Sequence, residues 1–217
     1  TLVSPDGYAL LSSTSTAMNK TATKAAITAH FNDNGVMQGG VWDINSGKVS
    51  MLEDLTGNSC SLSSQQGQSS HSIWDMDDDG KLIVGTTRFP YDGSNRCAEG
   101  EAARSVGMPT VWDANTGKAS VLPGTQMVDR TYGSGKEIAI MNGDEQIRRT
   151  AWARADRISG NGETITGSTN GFTQIAWVNG ELVDTYTEFG AIDNSVISEN
   201  GRYVAFGAIE NRRPAGV

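Results

Sequence analysis

An all-β array of four-stranded antiparallel blades follows from three features of the sequence. A decapeptide is written twice, as "VWDINSGKVS" from Val41 and "VWDANTGKAS" from Val111, with seven of ten positions identical. A second motif alternates with it, and each copy sets Asp or Asn before Gly between strand-like runs. Between them no helical periodicity runs beyond a couple of turns. With 26 Gly, 5 Pro and only 19% charged residues, the 217-residue chain has the composition of short strands joined by tight turns.

Along the chain, "VSPDGYALLS" from Val3 opens the pattern, followed by "TAMNKTATKAAITA" (16–29), a candidate short helix. In the first decapeptide Val-Trp-Asp ends a strand, Asn-Ser-Gly supplies the turn with Gly left-handed, and Lys48 begins the return strand. The polar stretch 54–72 reads as an inserted loop, and "MDDDGKLIVG" from Met76 is the next Asp-Gly hairpin. Residues 87–108 read as a second inserted loop, with "GEAARSVGM" inside it as another candidate short helix. The second decapeptide follows. Arg148, Arg149, Arg154 and Arg157, flanked by Asp144, Glu145 and Asp156, read as one solvated mixed-charge strand. "ISGNGETITG" from Ile158, "IAWVNGELVD" from Ile175 with its Asn179-Gly180 turn, and "ISENGRYVAFG" from Ile197 complete the series.

Two hairpins make four strands, and four strands make one blade of a β-propeller. Gly162 to Gly201 spans 39 residues, close to the roughly 40–45 of a blade repeat, whereas Gly7 to Gly80 spans 73 and Gly80 to Gly162 spans 82. Residues 1–217 thus supply about three and a half blades, an incomplete ring. Completion is expected from further chain or from a neighbouring subunit, because unpaired blade edges are an aggregation hazard. In this reading the decapeptide holds the fold.

The net charge of −8 and pI of about 4.7 argue against nucleic-acid binding, which needs basic stripes. No apolar run reaches the roughly 20 residues of a transmembrane helix. The first residues lack a signal-peptide pattern, and Thr1 reads as the start of a mature or trimmed chain. Cys60 and Cys97 sit in polar loop sequence outside any CxxC setting and are expected to form a disulfide, which places the chain in an oxidising compartment.

The alternation of "ISxDGxxIxG" with "VWDxxTGKxxxL" resembles bacterial extracellular HAF-type repeats and related exported β-propeller proteins. The resemblance implies a secreted or cell-surface propeller and no particular chemistry. "VWDANTGKASV" also looks like the docking motif of pyrroloquinoline-quinone enzymes through Asp113, Thr116, Gly117 and Lys118, and "VWDINSGKVSM" does so through Asp43, Gly47 and Lys48. The closing tryptophan of that motif is Val121 in one copy and Met51 in the other, and no adjacent-cysteine pair is present.

Asp75-x-Asp77-x-Asp79-Gly80 matches the opening of an oxygen-ligand calcium loop and resembles those of EF-hands and integrin-type propellers. The twelfth position is Thr86 and the ninth Ile83, so two ligands are missing. A solvated acidic turn is the first reading and calcium at Asp75, Asp77 and Asp79 the second. His30 and His71 are the only histidines and cannot make a three-ligand zinc site without carboxylates. No GxSxG anchors a Ser–His triad, and no catalytic or cofactor-binding residue is assigned. Trp42, Trp74, Trp112, Trp152 and Trp177 read as blade-core residues, at least three of them in equivalent positions.

The function expected is therefore a non-enzymatic exported propeller segment, a binding or scaffold module for a protein or glycan partner. The alternative is a propeller enzyme acting on extracellular polysaccharide or using a quinone.

Overall fold

A computed structural model describes residues 10–31, 37–53, 55, 71–90, 105–132, 135–170, 174–186, 190–210 and 213–216. All regular elements there are strands. The first sheet has the order β1-β2-β3-β4, made of Leu10–Met18, Lys24–Phe31, Met37–Asp43 and Val49–Met51. The second runs β5-β6-β7-β8, from His71–Met76, Leu82–Pro90, Ser105–Asp113 and Ala119–Val121. A three-stranded sheet follows, β9 (Thr125–Asp129), β10 (Lys136–Asn142) and β11 (Glu145–Thr150). Then come a four-stranded sheet, β12 (Ala153–Ile158), β13 (Thr164–Thr169), β14 (Gln174–Val178) and β15 (Glu181–Tyr186), and a three-stranded one, β16 (Gly190–Ile197), β17 (Val204–Glu210) and β18 (Arg213–Gly216).

Each four-stranded sheet is an antiparallel meander, the form of a propeller blade. Blades pack in series through their first strands: β5 against β1, β12 against β5, and β16 against β12. One core cluster joins the first and second blades through Ala26, Val41, Ile73, Ile83 and Trp112. Another joins the second blade (Val84, Val106, Met108) to the β12–β15 blade (Ala153, Ala155, Ile175, Trp177). The chain is an unclosed β-propeller array, with three four-stranded blades and a three-stranded fourth among the described residues.

The long spacing between Gly80 and Gly162 has a different source from the one expected. Residues 87–90 and 105–108 belong to β6 and β7, and His71 and Ser72 to β5, so both inserted loops are shorter than the sequence suggests. Much of the surplus is instead the β9–β11 sheet, whose Ile138 and Ile140 enter the core shared by the second and third blades. The mixed-charge strand is likewise two strands in two sheets. Arg148 and Arg149 lie in β11, Arg154 and Arg157 in β12, and Thr150 to Trp152 turn the chain between them. Neither candidate helix forms where the structure describes it. Residues 16–29 are the end of β1, a turn and most of β2, because Ala25 and Ile27 fill a blade face at strand spacing, and Ser105–Met108 belong to β7.

Every hairpin between the first two strands of a blade uses one turn design. Asn19, Asp77, Ser159 and Ser198 each accept, on the main-chain carbonyl, the amide three residues later, from Ala22, Gly80, Gly162 and Gly201. Those fourth residues are left-handed, with φ of 54°, 66°, 76° and 68°. The first residue's side-chain oxygen then caps the amides beyond the turn: Asn19 Oδ1 takes those of Thr23 and Lys24, Asp77 Oδ1 those of Lys81 and Leu82, and Ser159 Oγ that of Thr164. Asp6-Gly7, the first hairpin expected from sequence, lies outside the described residues, and the turn joining β1 to β2 is Asn19–Ala22. The final Gly of the motif has a separate cause. An added Cβ on Gly85 would stand 2.1 Å from Ser72 O, and one on Gly167 2.0 Å from Arg154 O, where the bulged first strand crowds the second.

The decapeptide behaves as its sequence implies. Asp43 and Asp113 accept the turn amides of Ser46, and of Asn115 and Thr116, on Oδ1, which holds both carboxyls below the usual range. Asn179 and Gly180, with φ of 52° and 79°, form the tighter third copy.

Candidate functional site at the hairpin tips

The first-hairpin turns of successive blades converge on one face. Lys20 N donates to Asp78 O (3.2 Å), Asp78 N to Gly160 O (3.0 Å), and Asn161 N to Glu199 O (3.2 Å). This ladder steps from the first blade to the fourth, one backbone bond per junction. The Lys20 ammonium then reaches across, contacting Asp78 Oδ2 at 3.4 Å and the Glu199 carboxylate. Gly160 lets the tips close up, since a Cβ there would meet Asp78 Oδ2 at 2.5 Å and Glu199 Cγ at 3.0 Å.

The tips enclose a shallow concavity of about 540 Å³ whose walls include Asp78, Asp79, Asn161, Glu199, Asn200 and Tyr203. Tyr203 is 74% exposed and offers a phenol ring at the rim. The surroundings carry carboxylates, amides and hydroxyls with one aromatic face, a composition suited to hydrogen-bonding a polar partner.

Of the three aspartates of the calcium-like motif Asp79 borders the concavity, Asp75 lies in β5 and Asp77 opens the turn, and each engages separately. Asp75 accepts the amides of Met76 (3.0 Å) and, across the blade junction, Ile158 (3.1 Å). Burial raises its carboxyl above the usual range against the opposing pull of those amides. Asp77 is spent on its own turn, and Asp79 pairs with Lys81 Nζ at 2.6 Å, which lowers its pKa. Among the described residues no group of three His, Cys, Asp or Glu is placed to hold a metal ion. Cys60 and Cys97 lie outside the described residues.

His71 sits at the junction of the first two blades, 1% exposed, with Nδ1 accepting Gly39 N–H at 3.1 Å and its ring edge-on to Trp112 at 5.6 Å. Burial lowers its pKa to about 4. It is a neutral core histidine.

The tryptophans divide into two sets. Trp42, Trp112 and Trp177 occupy one position on the third strand of their blades, pairing with Ala25, Ile83 and Ile165. Trp112 and Trp177 are wholly buried, and each donates Nε1–H at 2.8 Å to the chain leaving the preceding four-stranded blade, at Glu53 O and Pro123 O. Trp74 and Trp152 depart from the expected blade-core role. Trp74 is 39% exposed, and the two rings flank the Arg154 guanidinium at 5.0 and 5.2 Å. Arg154 Nε is held by Asp156 Oδ1 (2.5 Å) and Ser168 Oγ (3.0 Å). Trp74 and Trp152 sit on or beside the first strands of their blades, away from the "VWD" context, and that difference is legible in the sequence.

No family model and no curated protein matches the chain. Among solved structures it is similar to the Dos1 propeller (9% identity, TM-score 0.44, 93% of this chain and 42% of that one). It is also similar to TolB from Acinetobacter baumannii (14%, 0.34, 94% and 50%). A third is the β-propeller domain of the Trilobed protease from Pyrococcus furiosus, with an open velcro topology (10%, 0.40, 94% and 70%). The chain spans half or less of the length of the first two.

Proposed function

We propose that this chain is a non-enzymatic propeller module, exported from the cell, that binds a protein or glycan partner through the hairpin-tip face. The observation that carries the reading is the concavity itself, into which separate blades deliver Asp78, Asp79, Asn161, Glu199, Asn200 and Tyr203. A rigid sheet scaffold presenting polar turn residues around an exposed aromatic ring is a recognition surface, since the backbone ladder fixes the turns before any partner arrives. Export accords with a Cys60–Cys97 disulfide.

The test is a glycan array and an extracellular-protein binding screen, run with wild type, Tyr203→Ala and Asn200→Ala. Binding that both substitutions weaken while the melting temperature holds supports the tip face. Binding unaffected by either moves the site elsewhere, and released sugar or a quinone absorption band would establish the enzyme reading instead. Intact mass with and without reductant reads the disulfide, and two freely alkylated thiols in the native protein would remove the argument for export. A calcium titration followed by melting reports on Asp75, Asp77 and Asp79, with an unchanged midpoint leaving them as turn residues.

A further inference from the structure

Four Asn-Gly pairs lie wholly within the described residues: Asn142-Gly143, Asn161-Gly162, Asn179-Gly180 and Asn200-Gly201. All four asparagines are exposed, and all four glycines are left-handed, with φ between 58° and 79°. Such a pair is reactive in itself. The glycine nitrogen has no side chain beside it to hinder attack, and it lies one five-membered ring away from the asparagine carboxamide carbon. What separates the four is how firmly the two reacting groups are held.

At the hairpin tips both groups are engaged. Gly162 N–H donates to Ser159 O at 2.9 Å, and Gly201 N–H donates to Ser198 O at 2.8 Å. Asn161 Nδ2 donates to Glu163 Oε2 (2.7 Å) and Asn200 O (3.3 Å), while its Oδ1 accepts from Ser159 Oγ (2.6 Å) and Glu163 N (3.2 Å). Asn200 Oδ1 accepts from Ser198 Oγ at 2.9 Å and Arg202 N at 3.1 Å. These turns are also crowded. A Cβ on Gly201 would stand 2.7 Å from Thr164 Oγ1, and one on Gly162 would stand 3.3 Å from Leu82 Cδ1.

The other two pairs sit at the tight turns joining β10 to β11 and β14 to β15, where Asn142 pairs with Glu145 and Val178 with Glu181. Among the described residues neither Gly143 N–H nor Gly180 N–H donates to a main-chain carbonyl, and neither asparagine carboxamide makes a hydrogen bond. A Cβ on either glycine would meet nothing within 4 Å.

We infer that Asn142 and Asn179 are modification sites, which deamidate in the folded chain while Asn161 and Asn200 keep their amides. The glycine nitrogen gives up its proton and bonds to the asparagine Cγ, and the Cγ–Nδ2 bond breaks. Ammonia leaves with that proton, and a five-membered succinimide remains. Water adds to one of its two carbonyls and opens the ring to aspartate or isoaspartate, with no change of oxidation state. Each event adds a carboxylate to a chain of net charge −8. Isoaspartate also inserts a methylene into the main chain of a turn whose length sets the strand register. The two protected amides are those that line the tip concavity.

The experiment incubates the full-length protein in mildly alkaline buffer at physiological temperature, once native and once in guanidinium chloride. Peptide mass mapping follows the exchange of amide for acid at each pair, and labelling by an isoaspartyl methyltransferase reports the isoaspartate product. The quantity read is each site's native rate divided by its rate in denaturant, which removes the influence of flanking sequence. That ratio is expected to be at least about tenfold higher at Asn142 and Asn179 than at Asn161 and Asn200, the factor for opening two net hydrogen bonds before reaction. The inference is overturned if either Asn142 or Asn179 is slowed by folding as much as the tip pairs are, or if folding slows all four alike.

Discussion

Acid should loosen the junction between the first and second blades through one residue. His71 is buried, accepts Gly39 N–H on Nδ1, and so stands as the Nε2–H tautomer. Protonation would set a second N–H against the Gly39 amide and place a charge beside the Trp112 ring edge. Its pKa falls from 6.5 to about 4 in the folded chain, through burial. Because the folded pKa is depressed, the unfolded chain takes up the proton first as pH falls. The stabilisation is complete above about pH 6.5, declines through the interval down to about pH 4, and declines no further below it. The full shift corresponds to roughly 3 kcal/mol, and at about pH 5 some 2 kcal/mol should already be gone. Carboxylates add their own acid dependence, so the measurement is a difference. Denaturant unfolding of wild type and His71→Asn, whose Oδ1 can still accept from Gly39, is compared at about pH 7.5, 6 and 5. The variant should be less stable at neutral pH, and the gap should narrow by roughly 2 kcal/mol at about pH 5. A gap that does not change with pH would refute the argument.

Three further outcomes follow from the turns. Ala22 holds the left-handed position that glycine fills in the other three blades, so Ala22→Gly should stabilise the chain by about 0.5–1 kcal/mol in a urea melt, the relieved strain exceeding the added chain entropy. Gly167→Ala should cost about 3 kcal/mol or more, because its Cβ would fall on the Arg154 carbonyl, and a variant melting like wild type would show that the bulge relaxes freely. Asp77→Ala should cost about 1–3 kcal/mol by uncapping the Lys81 and Leu82 amides, while Asp79→Ala, which loses one exposed ion pair, should leave the melt nearly unchanged; equal losses in thermal melts would count against the capping role.

Turn chemistry and strand spacing are local, so the hairpins at Asp79-Gly80, Asn161-Gly162, Asn179-Gly180 and Asn200-Gly201, and the equivalence of Trp42, Trp112 and Trp177, were legible in the sequence alone. The Asn19–Ala22 turn was hidden because alanine stands where glycine signals the bend, and its surroundings then look helical. The β9–β11 sheet was signalled by Asn142-Gly143 after "EIAIM" but falls outside the repeat, and charge in β11 and β12 made two strands look like one. What the tertiary structure decided is which groups meet. Lys20, Asp78, Gly160 and Glu199 are separated by up to 179 residues and share one face, and Trp74 lies against Arg154 from another blade. The pairings of Trp112 with Glu53 and of Trp177 with Pro123 belong to the same level. A repeat specifies each blade through contacts within about 40 residues of chain, whereas these sites lie between blades, where the distances depend on how whole sheets pack.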